Sequence, residues 1–417
     1  MNRRACLRWL SPIAVAVMVL AAVAVAGVSA AVAQSAQSTD VGSAGSSAAG
    51  SGSPSSAPSA DQLVATVLPR GGFSIAGVAG TSCVSATFCF AVGTGTVLHG
   101  RTRLTSNTAL IWRYDGRSWQ LSSRVRVGQS SLASISCVSG SFCLAVGRAG
   151  NPVSRVLALR WNGRSWSQVT AASPPSSGNG DALGSVDCLS RADCWAVGGT
   201  NLGEADAREL VERWDGHRLR EVAAPRSGNA LVAVACARAN DCWATTYPSA
   251  AQRSTNEVEH FDGRRWVRAR LPISMSGGEA GISCRTLTTC WIVGDRVAGG
   301  LRPVAVHILN GSWKSTAMPS PQYPDVTLQG IGCASASYCW TVGGNTLVGP
   351  GISRPSEEAP FAEQWNGSAW QIASITGPPA ARNGFLDTVS CAAAAFCIAG
   401  GQAADGGPLL AIAEHAS

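Results

Sequence analysis

Residues 132–147 read LASISCVSGSFCLAVG, and residues 155–170 read RVLALRWNGRSWSQVT. In the first stretch, two apolar runs flank a pair of cysteines with five residues between them. In the second, two apolar runs flank Asn162-Gly163, with Trp161 and Trp166 on either side. Asn-Gly and Asp-Gly between apolar runs signal hairpins, because both positions tolerate the positive φ of a tight turn. The two stretches therefore read as four short antiparallel strands, Leu132–Cys137, Phe142–Gly147, Arg155–Trp161 and Ser165–Thr170.

The unit recurs along the chain. Cysteines pair as Cys83/Cys89, Cys137/Cys143, Cys188/Cys194, Cys236/Cys242, Cys284/Cys290, Cys333/Cys339 and Cys391/Cys397, and successive pairs begin 54, 51, 48, 48, 49 and 58 residues apart. An apolar pattern precedes the first cysteine, as in Leu183-x-x-Val186-x-Cys188. A short run ending in glycine follows the second, as in Trp195-Ala-Val-Gly198. The second hairpin turns at Asp115-Gly116, Asn162-Gly163, Asp215-Gly216, Asp262-Gly263, Asn310-Gly311 and Asn366-Gly367. Four strands in some fifty residues, repeated, is the pattern of β-propeller blades. Blades stack face to face, so inner strands are buried on both sides and lose strict alternation. The expected fold class is all-β, a seven-bladed β-propeller of four-stranded antiparallel blades.

The two ends of the chain complement each other. Seven cysteine hairpins meet only six Asn/Asp-Gly hairpins, and the last repeat stops after residues 409–413, which match a third strand. The missing fourth strand is expected in Gln62–Pro69, which resembles the fourth strands at Trp166 and Trp370. Closing the last blade with it removes the open edge of a linear array.

Residues 61–417 form the propeller in this reading. In residues 1–33, Arg3, Arg4 and Arg8 precede an apolar run from Ile13 to Val28, and Ala31-Val32-Ala33 follows. That is the layout of a cleaved signal peptide, with an uncleaved anchor over residues 13–33 as the alternative. Residues 34–60 are Ser, Gly and Ala with two prolines, the composition of a disordered linker. The expected location is secreted or extracytoplasmic. Without residues 1–33, 29 basic and 25 acidic residues leave a charge of +4, too mild to argue for nucleic acid. Membrane contact is expected only through the N-terminal segment, if it is uncleaved.

The fourteen repeat cysteines read as seven disulfides, since thiols ending one strand and starting the next lie opposite each other and export supplies an oxidising compartment. Zinc would need four ligands per site. Each repeat offers two thiols, and the chain has five histidines, so neither metal nor cofactor is expected. Cys6 leaves with the signal segment.

The motifs Cys-x5-Cys-x-Ala-Val-Gly and Trp-Asn/Asp-Gly-x-x-Trp, spread over residues 62–417, resemble those of secreted bacterial β-propeller repeat proteins of the kelch-like and Asp-box-like kind. An Asp box has one residue between its acid and its glycine, whereas here they are adjacent. Gly198-Gly199 and Gly343-Gly344 are similar to the kelch glycine pair.

The aromatic residues flanking the second turn read as cross-strand pairs: Tyr114/Trp119, Trp161/Trp166, Trp214/Leu219, Phe261/Trp266, Leu309/Trp313 and Trp365/Trp370. Trp195, Trp243, Trp291 and Trp340 read as core between blades, with sugar stacking as the alternative for both sets. Both repeated hairpins turn on one face of the ring. The connections on the other face vary: Thr94–Asn107, Thr200–Arg208, Asp295–Leu301 and Asn345–Pro360. Variable loops on a rigid scaffold are where binding usually resides. The candidate ligand-binding residues are therefore Asp181, Glu279, Asp325 and Asp387 on the innermost strands, with Arg101, Arg103, Glu204, Glu357 and Glu358 on the longer loops. The expected function is a non-catalytic binding or interaction module for a protein or carbohydrate. The alternatives are a secreted hydrolase of polysaccharide or glycoconjugate, which needs two placed carboxylates, and a structural protein. No catalytic residue is assigned.

Overall fold

The inner strand of every blade slips in register against its neighbour, and this irregularity shapes the ring. A computed structural model describes residues 62–99, 104–172, 180–202, 207–225, 229–247, 254–286, 288–297, 301–309, 311–319, 325–346, 358–394 and 396–414. The expected signal segment and linker lie outside these residues.

The chain enters through β1 (Gln62–Val67). Blade 1 is β2 (Ile75–Ser85), β3 (Phe88–His99), β4 (Leu104–Tyr114) and β5 (Trp119–Val125). Blade 2 is β6 (Ser130–Ser139), β7 (Phe142–Ala149), β8 (Arg155–Trp161) and β9 (Trp166–Gln168). Blade 3 is β10 (Ala182–Ser190), β11 (Asp193–Thr200), β12 (Arg208–Trp214) and β13 (Leu219–Glu221). Blade 4 holds β14 (Leu231–Arg238), β15 (Asp241–Thr246), β16 (Ser254–Phe261) and the first half of β17 (Trp266–Cys284). The second half of β17 is the inner strand of blade 5, followed by β18 (Cys290–Val297), β19 (Leu301–Leu309) and β20 (Ser312–Thr316). Blade 6 is β21 (Asp325–Ser335), β22 (Tyr338–Thr346), β23 (Glu358–Trp365) and β24 (Trp370–Ile372). After β25 (Ser374–Thr376), blade 7 is β26 (Gly384–Ala393), β27 (Phe396–Ala403) and β28 (Pro408–Glu414).

The seven-bladed propeller is as expected, and so is its closure. β1 pairs antiparallel with β28, from Leu63 opposite Ala413 to Val67 opposite Leu409. A second closure lies near the axis. Ser136 Oγ accepts the Cys188 N–H of the next blade (3.0 Å), as Ser82 does for Cys137 (2.9 Å) and Ser283 for Cys333 (3.2 Å). Ser390 of blade 7 accepts Cys83 N–H of blade 1 in the same way, at 3.1 Å.

Two features depart from the expected four-strand pattern. β17 crosses from blade 4 to blade 5 without a break, so seven blades form six hydrogen-bonded sheets. Blade 7 has five strands, because β25 adds to β1 in parallel, Gln62 opposite Ser374. One aromatic pair is also corrected. In blade 5 Ile308, not Leu309, faces Trp313, and Leu309 faces Ser312. The turn there has two residues where the other blades have four.

The repeated sequence features have local causes. In the Asn/Asp-Gly turns the Asn or Asp side chain accepts two N–H groups, as Asn162 Oδ1 does from Arg164 and Ser165 at 2.9 Å each. The glycine sits at φ +96° in Gly163, the left-handed region that favours glycine. The glycine of Ala-Val-Gly is set by crowding: a Cβ on Gly147 would overlap the Ser131 carbonyl, where β7 closes on the inner strand. Trp161 Nε1 donates to the Gly140 carbonyl (3.0 Å), and Trp214 and Trp365 donate likewise to Arg191 and Ala336. These bonds tie the second turn of blades 2, 3 and 6 to the cysteine hairpin of the same blade on one face.

All seven expected disulfides form, Cys83–Cys89, Cys137–Cys143, Cys188–Cys194, Cys236–Cys242, Cys284–Cys290, Cys333–Cys339 and Cys391–Cys397, with S–S distances of 2.04–2.12 Å. Each closes a loop of about seven residues, worth about 2 kcal/mol in the chain-entropy account. Intact-mass measurement under non-reducing conditions should therefore find the protein fourteen hydrogens lighter than after full reduction. Free thiols in several blades would contradict the paired structure.

Candidate functional site

The first register slip along the inner strands opens a bulge toward the propeller axis. In β6 the register slips between Leu132 and Ser134, in β21 between Leu328 and Gly330, and in β26 between Leu386 and Thr388. The bulged residues Ala133, Gln329 and Asp387 line a central channel of about 140 Å³. That is room for a few waters rather than a sugar ring. Among the described residues Asp387 is the only ionisable one lining it. The neighbouring hydroxyls are engaged between blades: Ser134 accepts Val186 N–H (3.2 Å), Ser185 accepts Val234 N–H (3.1 Å) and Thr388 accepts Thr81 N–H (3.3 Å).

The expected site residues sit in different settings. Asp387 faces the channel. Asp325 opens β21, and its carboxylate accepts the Leu301 N–H at 2.8 Å, tying blade 6 to the start of β19. Asp181 is fully buried beside β10, and its N–H donates to the Ser154 carbonyl at 3.0 Å. Glu279 lies within β17, and its side chain is outside the described residues. So are Arg101, Arg103, Glu204 and Glu357. Glu358 begins β23, where burial raises its pKa. The connection expected as a loop over Thr94–Asn107 is largely a paired hairpin, in register to His99 opposite Leu104.

The disulfide residues, singled out from the sequence together with the ligand-binding candidates, are a different case: ten of the fourteen are buried in the core, the second cysteine of every pair completely. Cys89, Cys143, Cys194, Cys242, Cys290, Cys339 and Cys397, the second cysteine of each pair, are all 0% exposed. The cause is their place at the start of the second strand, where neighbours cover them from two sides. One side is closed by the bridge to the inner strand. On the other side Cys89 faces Tyr114, Cys143 faces Trp161, Cys194 faces Trp214, Cys242 faces Phe261 and Cys339 faces Trp365. The sulfur and the aromatic ring thus belong to one packed layer, which the linear spacing of the cysteines does not reveal.

Three acidic residues escaped the sequence reading. Glu212, Glu259 and Glu363 occupy one position on the third strands of blades 3, 4 and 6, two residues before Trp214, Phe261 and Trp365. They face the small residues Ala196, Ala244 and Thr341 across the strand. All three are essentially fully buried, and desolvation pushes each pKa up to about 8. Glu212 accepts one bond, from Ala172 N–H of the preceding linker (3.1 Å). The corresponding linker residues for the other two are Pro225 and Pro319, which have no N–H to give. Both carboxyl oxygens of Glu259 and of Glu363 lack a hydrogen-bond partner. The repeated Glu-x-Trp/Phe was the available signal, masked by apolar residues at the same position in other blades.

The aromatic residues are packing groups. Trp195 packs 4.6 Å from Phe261 and 5.4 Å from Trp266 of the next blade, and Trp291 packs 4.9 Å from Trp365 and 5.2 Å from Trp370. Trp195, Trp291 and Trp340 are buried, so these rings fill the joints between blades. Cross-strand pairs such as Trp161–Trp166, at 5.6 Å, complete the same layer. Among the described residues no cluster of three or more His, Cys, Asp and Glu could hold a metal ion, and no helix is long and apolar enough to cross a membrane.

Comparison places this architecture among known propellers. The chain is similar in fold to virginiamycin B lyase from Staphylococcus aureus (TM-score 0.55, 12% identity, covering 85% of this chain and 99% of that one). It is also similar to YCF48 in a structure bound to D1 peptide (TM-score 0.52, 14% identity, covering 84% and 96%). At such identities the likeness concerns the fold alone. No family model matches the chain, and no curated protein sequence does.

Proposed function

We propose that this chain is an exported propeller of the secreted bacterial repeat kind, kelch-like and Asp-box-like. In this reading it acts without catalysis and binds a protein or carbohydrate ligand on its variable face. The observation that carries the reading is the division of labour between the two faces. Every repeated feature (disulfide, Asx turn, aromatic pair) goes into building the ring, while the connections that differ between blades gather on the opposite side. Seven disulfides suit an oxidising compartment, and residues 1–33 have the sequence of an export signal. The channel offers a single carboxylate among the described residues, Asp387, where a glycoside hydrolase needs two about 5–10 Å apart. Asp325 and Glu279 are the further polar residues that would border the ligand from the inner strands, with the buried Asp181 behind them.

The test is a panel of glycans and extended peptides, the latter included because the fold-related YCF48 is described bound to a peptide. Replacing residues 100–103, 203–206 and 347–357 by Gly/Ser segments of equal length should weaken binding at least about tenfold, since those segments hold the contacts. The thermal midpoint should not change. Hydrolysis of a bound polysaccharide, or binding indifferent to all three replacements, would overturn the proposal.

A further inference from the structure

The face opposite the variable loops has its own chemistry. The hairpin turns of blades 1 to 4 expose Arg117, Arg164, Arg218, Arg238, Arg264 and Arg265, and Arg285 of blade 5 is exposed beside them, donating to the Ala334 carbonyl. The acids of this face are already occupied. Asp115, Asp215 and Asp262 each accept two N–H groups of their own turn. Asp215 also pairs with Arg220 (2.6 Å), Asp193 with Arg213 (2.8 Å) and Asp241 with His260 (3.1 Å). None of the six arginines forms an ion pair among the described residues, although Arg117 and Arg265 lie near enough to lower the pKa of Asp115 and Asp262. On blades 6 and 7 the same turns are uncharged: Ala334–Ser337, Asn366–Ala369 and Ala392–Ala394. The positive charge is thus a crescent over five blades.

Two further observations indicate what the crescent meets. Leu189 and Leu309, in turns of blades 3 and 5 on this face, are 37% and 49% exposed. The chain also enters the ring here. Leu63 pairs with Ala413, which pairs with Cys397 of the blade 7 cysteine hairpin, so the amino end of β1 is at the turn face. A Ser/Gly/Ala-rich chain as long as residues 34–60 would span about 30 Å on average if flexible. An apolar amino-terminal segment held in a bilayer would keep this face, not the variable one, within that reach of the lipid.

We infer that the turn face docks on an anionic membrane, its arginines at lipid phosphates and Leu189 and Leu309 entering the interface. The variable face, where the proposed function places its ligand, then points away from the membrane. Each arginine near a charged bilayer strengthens partitioning about fivefold at low salt, and each exposed leucine adds apolar contact that a soluble polyanion does not reward.

The test uses residues 34–417, which retain every strand of the ring, and vesicles of phosphatidylglycerol with phosphatidylcholine. The protein should sediment with these vesicles, not with pure phosphatidylcholine, and should be released at about 0.5 M salt, where screening is short-ranged. The variant Arg117→Gln, Arg164→Gln, Arg218→Gln, Arg264→Gln should lose on the order of 600-fold in partitioning at low salt, about fivefold for each arginine. Leu189→Ser with Leu309→Ser should lose several-fold on vesicles while leaving binding to soluble polyphosphate unchanged. Arg155→Gln, Arg296→Gln and Arg382→Gln, exposed on the other face, should change nothing. Unfolding midpoints equal to the parent's show that each variant folds, and the salt release tests the unmodified protein independently. The inference fails if anionic vesicles bind no better than neutral ones. It fails if the three opposite-face changes cost as much as the four turn-face ones. It also fails if the leucine changes are silent and polyphosphate competes fully, since the partner would then be a soluble polyanion. Each of these results leaves the glycan and peptide test untouched.

Discussion

A chain that begins at Pro69 instead of upstream of Gln62 is expected to unfold at far lower denaturant, and to aggregate at concentrations where the parent is monomeric. β1 contributes five paired residues to the edge of β28. Its inward residues, Leu63 and Ala65, are 0% and 2% exposed, in a cluster with Leu386, Leu409 and Ala411. Removing the strand leaves that cluster open and bares a flat hydrogen-bonding edge, which is a template for pairing with another chain. The point variant Leu63→Ala should cost about 2–5 kcal/mol, the range for a fully buried leucine. Val64→Ala, one residue along on the outward face and 58% exposed, should cost no more than about 0.5 kcal/mol. A peptide spanning residues 61–69 should restore the midpoint of the shortened chain when added in trans. Equilibrium urea unfolding followed by fluorescence reads all four outcomes. Equal costs for Leu63 and Val64, or a shortened chain as stable as the parent, would mean that the ring does not depend on this strand.

That dependence was legible in the sequence because blade closure is a matter of counting. Seven cysteine hairpins with six glycine turns leave one strand missing, and residues 62–69 matched the strands that follow the other turns. The disulfides were legible for a similar reason, since residues opposite each other at one hairpin level must meet. Their depth was not: that Cys143 or Cys339 lies sealed under a third-strand tryptophan depends on register, which spacing alone leaves open. What else escaped lies where spacing stops constraining geometry. Residues 266–284 carry Pro272 and Gly277-Gly278 at the crossover, which read as breakers, yet β17 runs through them and Ser276 pairs with both Ser254 and Asp295. The long Cys333–Cys391 interval reflects the connection within blade 6 and so gave no sign that the linker after Trp370 forms β25. In blade 5 the turn lacks two residues, so alignment on Leu309 misplaced the pair by one position and left that leucine in solvent. The candidate site suffered most. Asp325 and Asp387 both lie on inner strands, but a bulge separates the entrance of a strand from its channel level. A linear reading cannot tell which of two acids on such strands caps a neighbour and which lines the axis.

Stability is expected to fall as pH rises from 5 to 8, and the three buried glutamates are the reason. In the folded protein Glu212, Glu259 and Glu363 hold their protons to a pKa of about 8 because burial penalises the charged form. Unfolded, they ionise near 4.5. Between those values the folded state binds more protons than the unfolded one, so each group's contribution is fully present below about 4.5 and is lost as pH climbs through 8. The slope is about 1.4 kcal/mol per pH unit for each group while the difference lasts. Around Glu212 the Ala172 N–H works against burial while Glu221 and Asp181 add to it, and around Glu259 Glu209 and Glu257 outnumber Arg268. Asp187, raised to about 6 by burial, adds the same sign at lower pH. The turn aspartates Asp115, Asp215 and Asp262, held below the usual range by backbone N–H groups and, for Asp215, first by Arg220, oppose the trend only under acid. Urea unfolding with disulfides intact should therefore lose several kcal/mol between pH 5 and pH 8. The variant Glu212→Gln, Glu259→Gln, Glu363→Gln should be nearly flat across pH 6–8. It should match the parent near pH 5 and exceed it at pH 8, because an amide has no proton to surrender. A triple variant with the parent's slope would place these carboxyls in contact with water and remove their burial as the cause.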